Sequence, residues 1–331
     1  MLMRGSARAL DLARGRVLGT VGRWPAAQTL ARRRGVRLCV VGCASVVAAF
    51  AGVALVPLMM LAVAPVLLGV PHVAADLRYL VVRRATLPRR AWAPLAVAAI
   101  MCTVAAALGD VPLMVACGLG GVALAAALAH GRPARRALVT AVVALLLAGA
   151  LAAPRTAALT MAQAHNFVAV ALALWLVRDK MRLPWLPALL FGAGVVAIAA
   201  GALDAPLGAA LARAGHATAL FATAVAPRSA PSLVILRSVG VFAFAQAVHY
   251  GAWLRVVPDG ERAGERPIGY RRSLALLRAD FGRATTLVII LSVALPLAAC
   301  FALADVRGAY FTLAAFHGYL ELAFVAAALA R

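Results

Sequence analysis

From Leu38 to Ala75 the chain runs thirty-eight residues without a single Asp, Glu, Lys or Arg. Water-soluble domains do not carry such a stretch, whereas a bilayer core calls for about twenty apolar residues per crossing. A single helix over Leu38–Val82 would rise roughly 65 Å against a hydrocarbon core of ~30 Å, so the segment reads as two spans. Pro57, Pro65 and Gly69-Val-Pro71 offer places to turn.

Further apolar runs follow at 91–108, 112–130, 136–153, 157–178, 183–202, about 239–257, 284–304 and 308–330. The composition agrees: 65% of residues are hydrophobic and 13% charged, where soluble domains carry about 25% charged. The expected fold is an all-α polytopic transmembrane bundle of about ten spans, within a range of eight to eleven. Residues 38–331 form one membrane domain, and 1–37 form a basic N-terminal segment. The expected location is the bacterial inner membrane, with lipid as the surrounding partner.

A net charge of +22 would suggest nucleic acid in a soluble protein. Here the arginines sit in short segments between apolar runs, where the positive-inside rule accounts for them, and no nucleic-acid partner is expected. The loops alternate. Segments 83–90, 130–136 and 178–182 are basic, and those around Asp110, Arg155 and Asp204 are not. Both termini are therefore expected on the cytoplasmic side. Leu10, Ala13, Val17, Val21 and Trp24 recur at helical spacing in a segment holding nine arginines, which suits a helix lying on an anionic leaflet; a disordered basic tail is the competing reading. Tyr270, Leu274, Leu277 and Phe281 make a second interfacial helix. Residues 207–236 read as an outer-surface helix followed by a turn, with Arg213, His216 and Arg228 interrupting the apolar run; a further span is the competing reading. The five cysteines lie in apolar runs, lack a Cys-x-x-Cys pair and serve as small hydrophobes.

Within this apolar chain the informative residues are the ionisable ones at membrane depth, which are costly and rare. His72 and Asp76 share a helix face at a spacing of four, as do His317 and Glu321. His165 lies beside Asn166; Gln246 precedes His249 by three, and Trp253 follows it by four. On the alternating topology His72, His165, His249 and His317 fall at one depth and are expected to converge as metal ligands. Neutral imidazole binds iron, copper and zinc, and with one or two carboxylates it leaves positions open for dioxygen or substrate. Asp76 and Glu321 are expected as ligands or as partners of the ligand rings, and Gln246 as a hydrogen-bond donor to bound oxygen. Phe167, Tyr250, Trp253 and Tyr319 are expected to wall a pocket for an apolar substrate. His130 and His216 sit near span ends and read as structural.

Gly69-Val-Pro-His-Val-Ala-Ala-Asp76 resembles the Gly-x-Pro-His-Gly-Ala-x-Asp motif of the Brp/Blh family of bacterial membrane beta-carotene dioxygenases. Gly69, Pro71, His72, Ala74 or Ala75, and Asp76 match; Val73 replaces the second glycine. The family's later Trp-His-Ser-x-x-His cluster has no counterpart, Val-His-Tyr-Gly-Ala-Trp253 being a remote echo. The resemblance implies a helical scaffold holding ferrous iron and an oxygenase acting on a carotenoid or other isoprenoid. Two other classes remain open on the residues themselves: a transporter using the same groups as a proton or ion relay, and a b-type haem electron-transfer protein with histidines as axial ligands.

Overall fold

The computed structural model describes residues 2–21, 23–84, 87–213 and 232–331, and every regular element among them is helical. In chain order these are α1 (Leu2–Val21), α2 (Pro25–Arg32), α3 (Arg34–Leu55), α4 (Pro57–Ala62), α5 (Ala64–Asp76), α6 (Arg89–Ala107), α7 (Val111–Leu128) and α8 (Pro133–Ala152). There follow α9 (Pro154–Val177), α10 (Trp185–Ala199), α11 (Asp204–Arg213), α12 (Ser232–Gly251), α13 (Val257–Gly260), α14 (Tyr270–Phe281), α15 (Ala284–Leu313) and α16 (His317–Leu329). His216 and Arg228 lie outside the described residues.

Among the described residues eight helices are long and apolar enough to cross a bilayer, or nine if α10 and α11, bent by 67°, count as one span. The exterior is greasy: α8 buries only Val143 of its twenty residues, and Phe301 is 92% exposed. Such a surface is stable against lipid and would aggregate in water. The chain is a multi-pass helical membrane protein.

The last 46 residues of the apolar C-terminal region, Ala284–Leu329, would reach roughly 69 Å if straight. They break instead at Ala302, whose φ of −147° and ψ of 62° are not helical, and again after Leu313. The expected join at Asp305–Arg307 is therefore displaced. Residues 303–313 turn inward against α5, and Arg307 and Tyr310 are buried. Arg307 has a specific task there. Pro65 has no N–H to offer the carbonyl of Leu61 four residues back, and the Arg307 guanidinium donates to that oxygen at 3.1 Å.

Three apolar clusters fill the bundle. One joins α3, α4, α9, α10, α11 and α12 around Val53, Ile198, Leu207 and Phe244. A second joins α3, α9 and the end of α12 around Leu38, Leu176 and Trp253. The third joins α6, α7 and α16 around Cys102, Val122 and Ala327. The helices α5, α9, α12 and α16 meet where these clusters adjoin.

Segments that the charge pattern puts on one side do come together. Arg37 grips Asp259 with two bonds of 2.7 and 3.1 Å, and Arg262 pairs with the same carboxylate. Asp280 takes Arg78 at 2.5 Å and Arg83 at 2.9 Å, while Glu261 takes Arg84 at 3.0 Å and Lys180 at 3.3 Å. The N-terminal segment is helical, and α1 packs on α14, whose first backbone N–H groups donate to Asp11 at 2.6 and 3.1 Å. Asp110 caps α7, and Asp204 pairs with Arg237 at 2.7 Å. The cysteines are all free thiols.

Candidate metal centre

Each of the four intramembrane histidines arrives on a different helix. His72 lies on α5, His165 on α9, His249 on α12 and His317 at the start of α16. Their rings meet. Ring centroids lie 4.2 Å apart for His72 and His249, 5.4 Å for His72 and His317, 5.0 Å for His165 and His317, and 5.5 Å for His165 and His249.

Glycines permit the close approach. A Cβ on Gly69 would fall inside the Tyr310 ring, and one on Gly118 inside the Tyr319 ring. A Cβ on Gly318 would sit 3.1 Å from that of His165. Two π-helical turns, Leu77–Val82 after Asp76 and Ala252–Val256 after His249, re-aim the two helices just beyond the site. Such turns recur at functional positions.

Three of the rings are oriented by an oxygen at Nδ1. His165 donates to the carbonyl of Ala162 at 2.9 Å, and His317 to that of Ala314 at 2.6 Å. His249 donates to Oδ1 of Asn166 at 3.0 Å, while the Asn166 amide donates to Ala162 at 3.1 Å. A proton fixed at Nδ1 leaves the Nε2 lone pair of each ring for a ligand. His72 differs, with neither nitrogen hydrogen-bonded.

The carboxylates are fully buried. Oδ2 of Asp76 stands 3.1 Å from Nε2 of His72, and Oε1 of Glu321 stands 3.3 Å from Nε2 of His249. Neither approach has hydrogen-bond geometry, and all four carboxylate oxygens lack a hydrogen-bond partner. Glu321 thus faces His249 rather than His317, the ring on its own helix. Among the described residues eleven buried side-chain N and O atoms have no hydrogen-bond partner, and nine belong to His72, Asp76, Gln246, His249, Tyr310 and Glu321. Buried polar atoms without partners are costly to a fold. A group that accepts those lone pairs removes the cost. Two sets of donor atoms lie within 4.8 Å of one another: His72, Asp76 and His317, and His72, His249 and Glu321. Imidazole with carboxylate is a donor set that suits a transition-metal ion.

A cavity of about 200 Å³ opens beside the rings, lined by His165, Gln246, Tyr250, Tyr310, His317 and Tyr319 among apolar residues. A larger apolar groove of about 490 Å³ runs along α6, where Phe316 and Leu320 separate it from the cluster. The chain matches no protein-family model, no curated protein and no solved structure. The geometry stands alone.

Of the residues picked from sequence, Gln246, Tyr250 and Tyr319 line the cavity. Trp253 does not; it is fully buried, donates to the carbonyl of Ala169 at 3.1 Å and reaches His72 only with a ring centroid at 6.5 Å. Phe167 is not brought to the site at all, and packs 5.6 Å from Phe191. Asn166 and Tyr310 were missed. Asn166 carried a signal, a polar side chain in mid-span, but its partner is on another helix. Tyr310 carried none.

Proposed function

We propose that the four imidazoles and two carboxylates hold redox-active iron, and that the protein is a non-haem oxygenase acting on an apolar isoprenoid or carotenoid-like lipid. The observation that carries this reading is the meeting of four histidines from four helices with two buried carboxylates whose oxygens have no hydrogen-bond partner. Bound there, a ferrous ion supplies coordination positions at which dioxygen and substrate can meet. Everything else falls to the chain. Ala162, Ala314 and Asn166 hold three rings with Nε2 turned inward. Asp76 and Glu321 bring negative charge to the ion, and the bundle keeps bulk water away. Gln246, Tyr250 and Tyr310 border the cavity and orient the polar end of what enters it. The apolar walls suit a substrate arriving from the lipid phase. The resemblance of Gly69–Asp76 to the carotenoid-cleaving family points to the same chemistry. Its glycine has a concrete use here, as the surface on which Tyr310 lies.

The same reading takes the bundle as ten crossings in a bacterial inner membrane, with both termini and the ion-paired basic face on the cytoplasmic side. A b-type haem fits less well, because rings packed 4.2–5.5 Å apart leave no slot for a macrocycle between axial pairs. Interrupted helices at Val63, Ala302 and Leu313 favour a second reading, an ion or proton relay through discontinuous segments. Metal analysis with an optical spectrum of the purified protein separates the three. Stoichiometric iron without a haem band is the expected result. A haem band, or no metal after anaerobic loading with Fe²⁺, would overturn the oxygenase.

A further inference from the structure

The donor atoms do not gather around one point. Asp76 and His317 join His72 in one set, Glu321 and His249 join it in another, and no larger set holds together within 4.8 Å among the described residues. The ring of His72 is the corner common to both sets, 4.2 Å from His249 and 5.4 Å from His317, whose own centroids are 6.5 Å apart. A single ion drawing on all five residues would need their donor atoms within about twice a metal–ligand bond of one another, or roughly 4.2 Å.

His72 is also the ring whose nitrogens are both without a hydrogen bond, although it is fully buried. His165, His249 and His317 each commit Nδ1 to an oxygen and so can offer one nitrogen only. Both carboxylates, likewise, have both oxygens unpaired. The six residues supply more uncommitted donor atoms than one ion uses.

From this we infer that the centre holds two metal ions, one on His72, Asp76 and His317 and the other on His72, His249 and Glu321, with the His72 imidazole shared between them. The inference rests on the metal-site reading above. Sharing the ring requires both of its nitrogens to bind as lone-pair donors, so the proton it carries when neutral is released to buffer on loading, as metal binding commonly releases protons. His165, in neither set, stands between His249 and His317 and closes the ring of imidazoles on the cavity side.

The test is metal counting on the full chain in lipid nanodiscs, loaded anaerobically with Fe²⁺ or Mn²⁺, desalted and assayed for metal against protein. Two ions per chain are expected in the wild type, with a magnetically coupled Mn²⁺ spectrum in place of the isolated-ion pattern. Asp76→Asn and Glu321→Gln should each retain about one. A wild-type ratio of one overturns the shared-ring centre while leaving the oxygenase reading in place, and a ratio of zero overturns both. Two ions retained by His72→Ala, or by either carboxylate variant, would mark adventitious binding and equally overturn the inference.

Discussion

Carboxylates at the basic face of the bundle and carboxylates at its centre are held in opposite ways. Asp259, Asp280 and Glu261 each take two cationic side chains, and they tie the start of α3, the end of α5 and the segment after α12 into one layer. Asp76 and Glu321 are more deeply buried and approach histidine rings rather than arginines or lysines, with every oxygen lacking a hydrogen-bond partner. A structural carboxylate in a membrane protein is neutralised by its neighbours. One left uncompensated by the protein indicates a ligand that compensates it, since sites that violate local rules of polar satisfaction tend to be functional.

The strongest way to break this contrast is to delete one member from each region. His72→Ala should abolish bound metal while the protein remains inserted and monodisperse; unchanged metal content by elemental analysis would remove the ring from the site. Asp259→Ala should do the reverse. It leaves Arg37 and Arg262 without their shared carboxylate and should cost about 3–5 kcal/mol of stability, read as a lower melting temperature at unchanged metal content. Glu321→Gln sharpens the difference: it should weaken the hold on metal without lowering the melting temperature of the metal-free protein, since no hydrogen bond to the carboxylate is lost; destabilised metal-free protein would mean that Glu321 is structural. Asn166→Ala should weaken metal affinity by about 10–100-fold through loss of the His249 orientation, measured by competition with a chelator. The smallest effect belongs to Arg84→Ala. Its pair with Glu261 is partly exposed and should contribute no more than about 1 kcal/mol, falling further with salt.

The sequence made the helices and their polar contents legible, because uncharged runs and lone ionisable residues are properties of single segments. It left rotation open, and the errors follow from that. Phe167 is two residues beyond His165, about 200° around the helix, and so it points toward Phe191. Asn166, one step on, turns toward α12 and reaches His249. Glu321 shares a face with His317 by spacing, but His317 opens its helix with Nδ1 tied back to Ala314, which leaves the carboxylate to His249. Trp253 follows His249 by four, but a π-helical turn intervenes and resets the register. The break at Ala302 falls close to the expected join at 305–307, but the burial of Arg307 carried no local signal, since its partner, the Leu61 carbonyl that Pro65 cannot serve, is far away in the chain.

The six donors are spread over about 250 residues, and at bacterial or eukaryotic rates of synthesis the interval between the first and the last is on the order of 10–50 s. Within that interval the companions of His72 and Asp76 emerge one after another, on α9, α12 and α16. Their spacing of four puts the two side chains on one face of α5, 3.1 Å apart, so each has a neighbour of its own on that helix. The six side chains can therefore come together only after α16, the last helix, has been made.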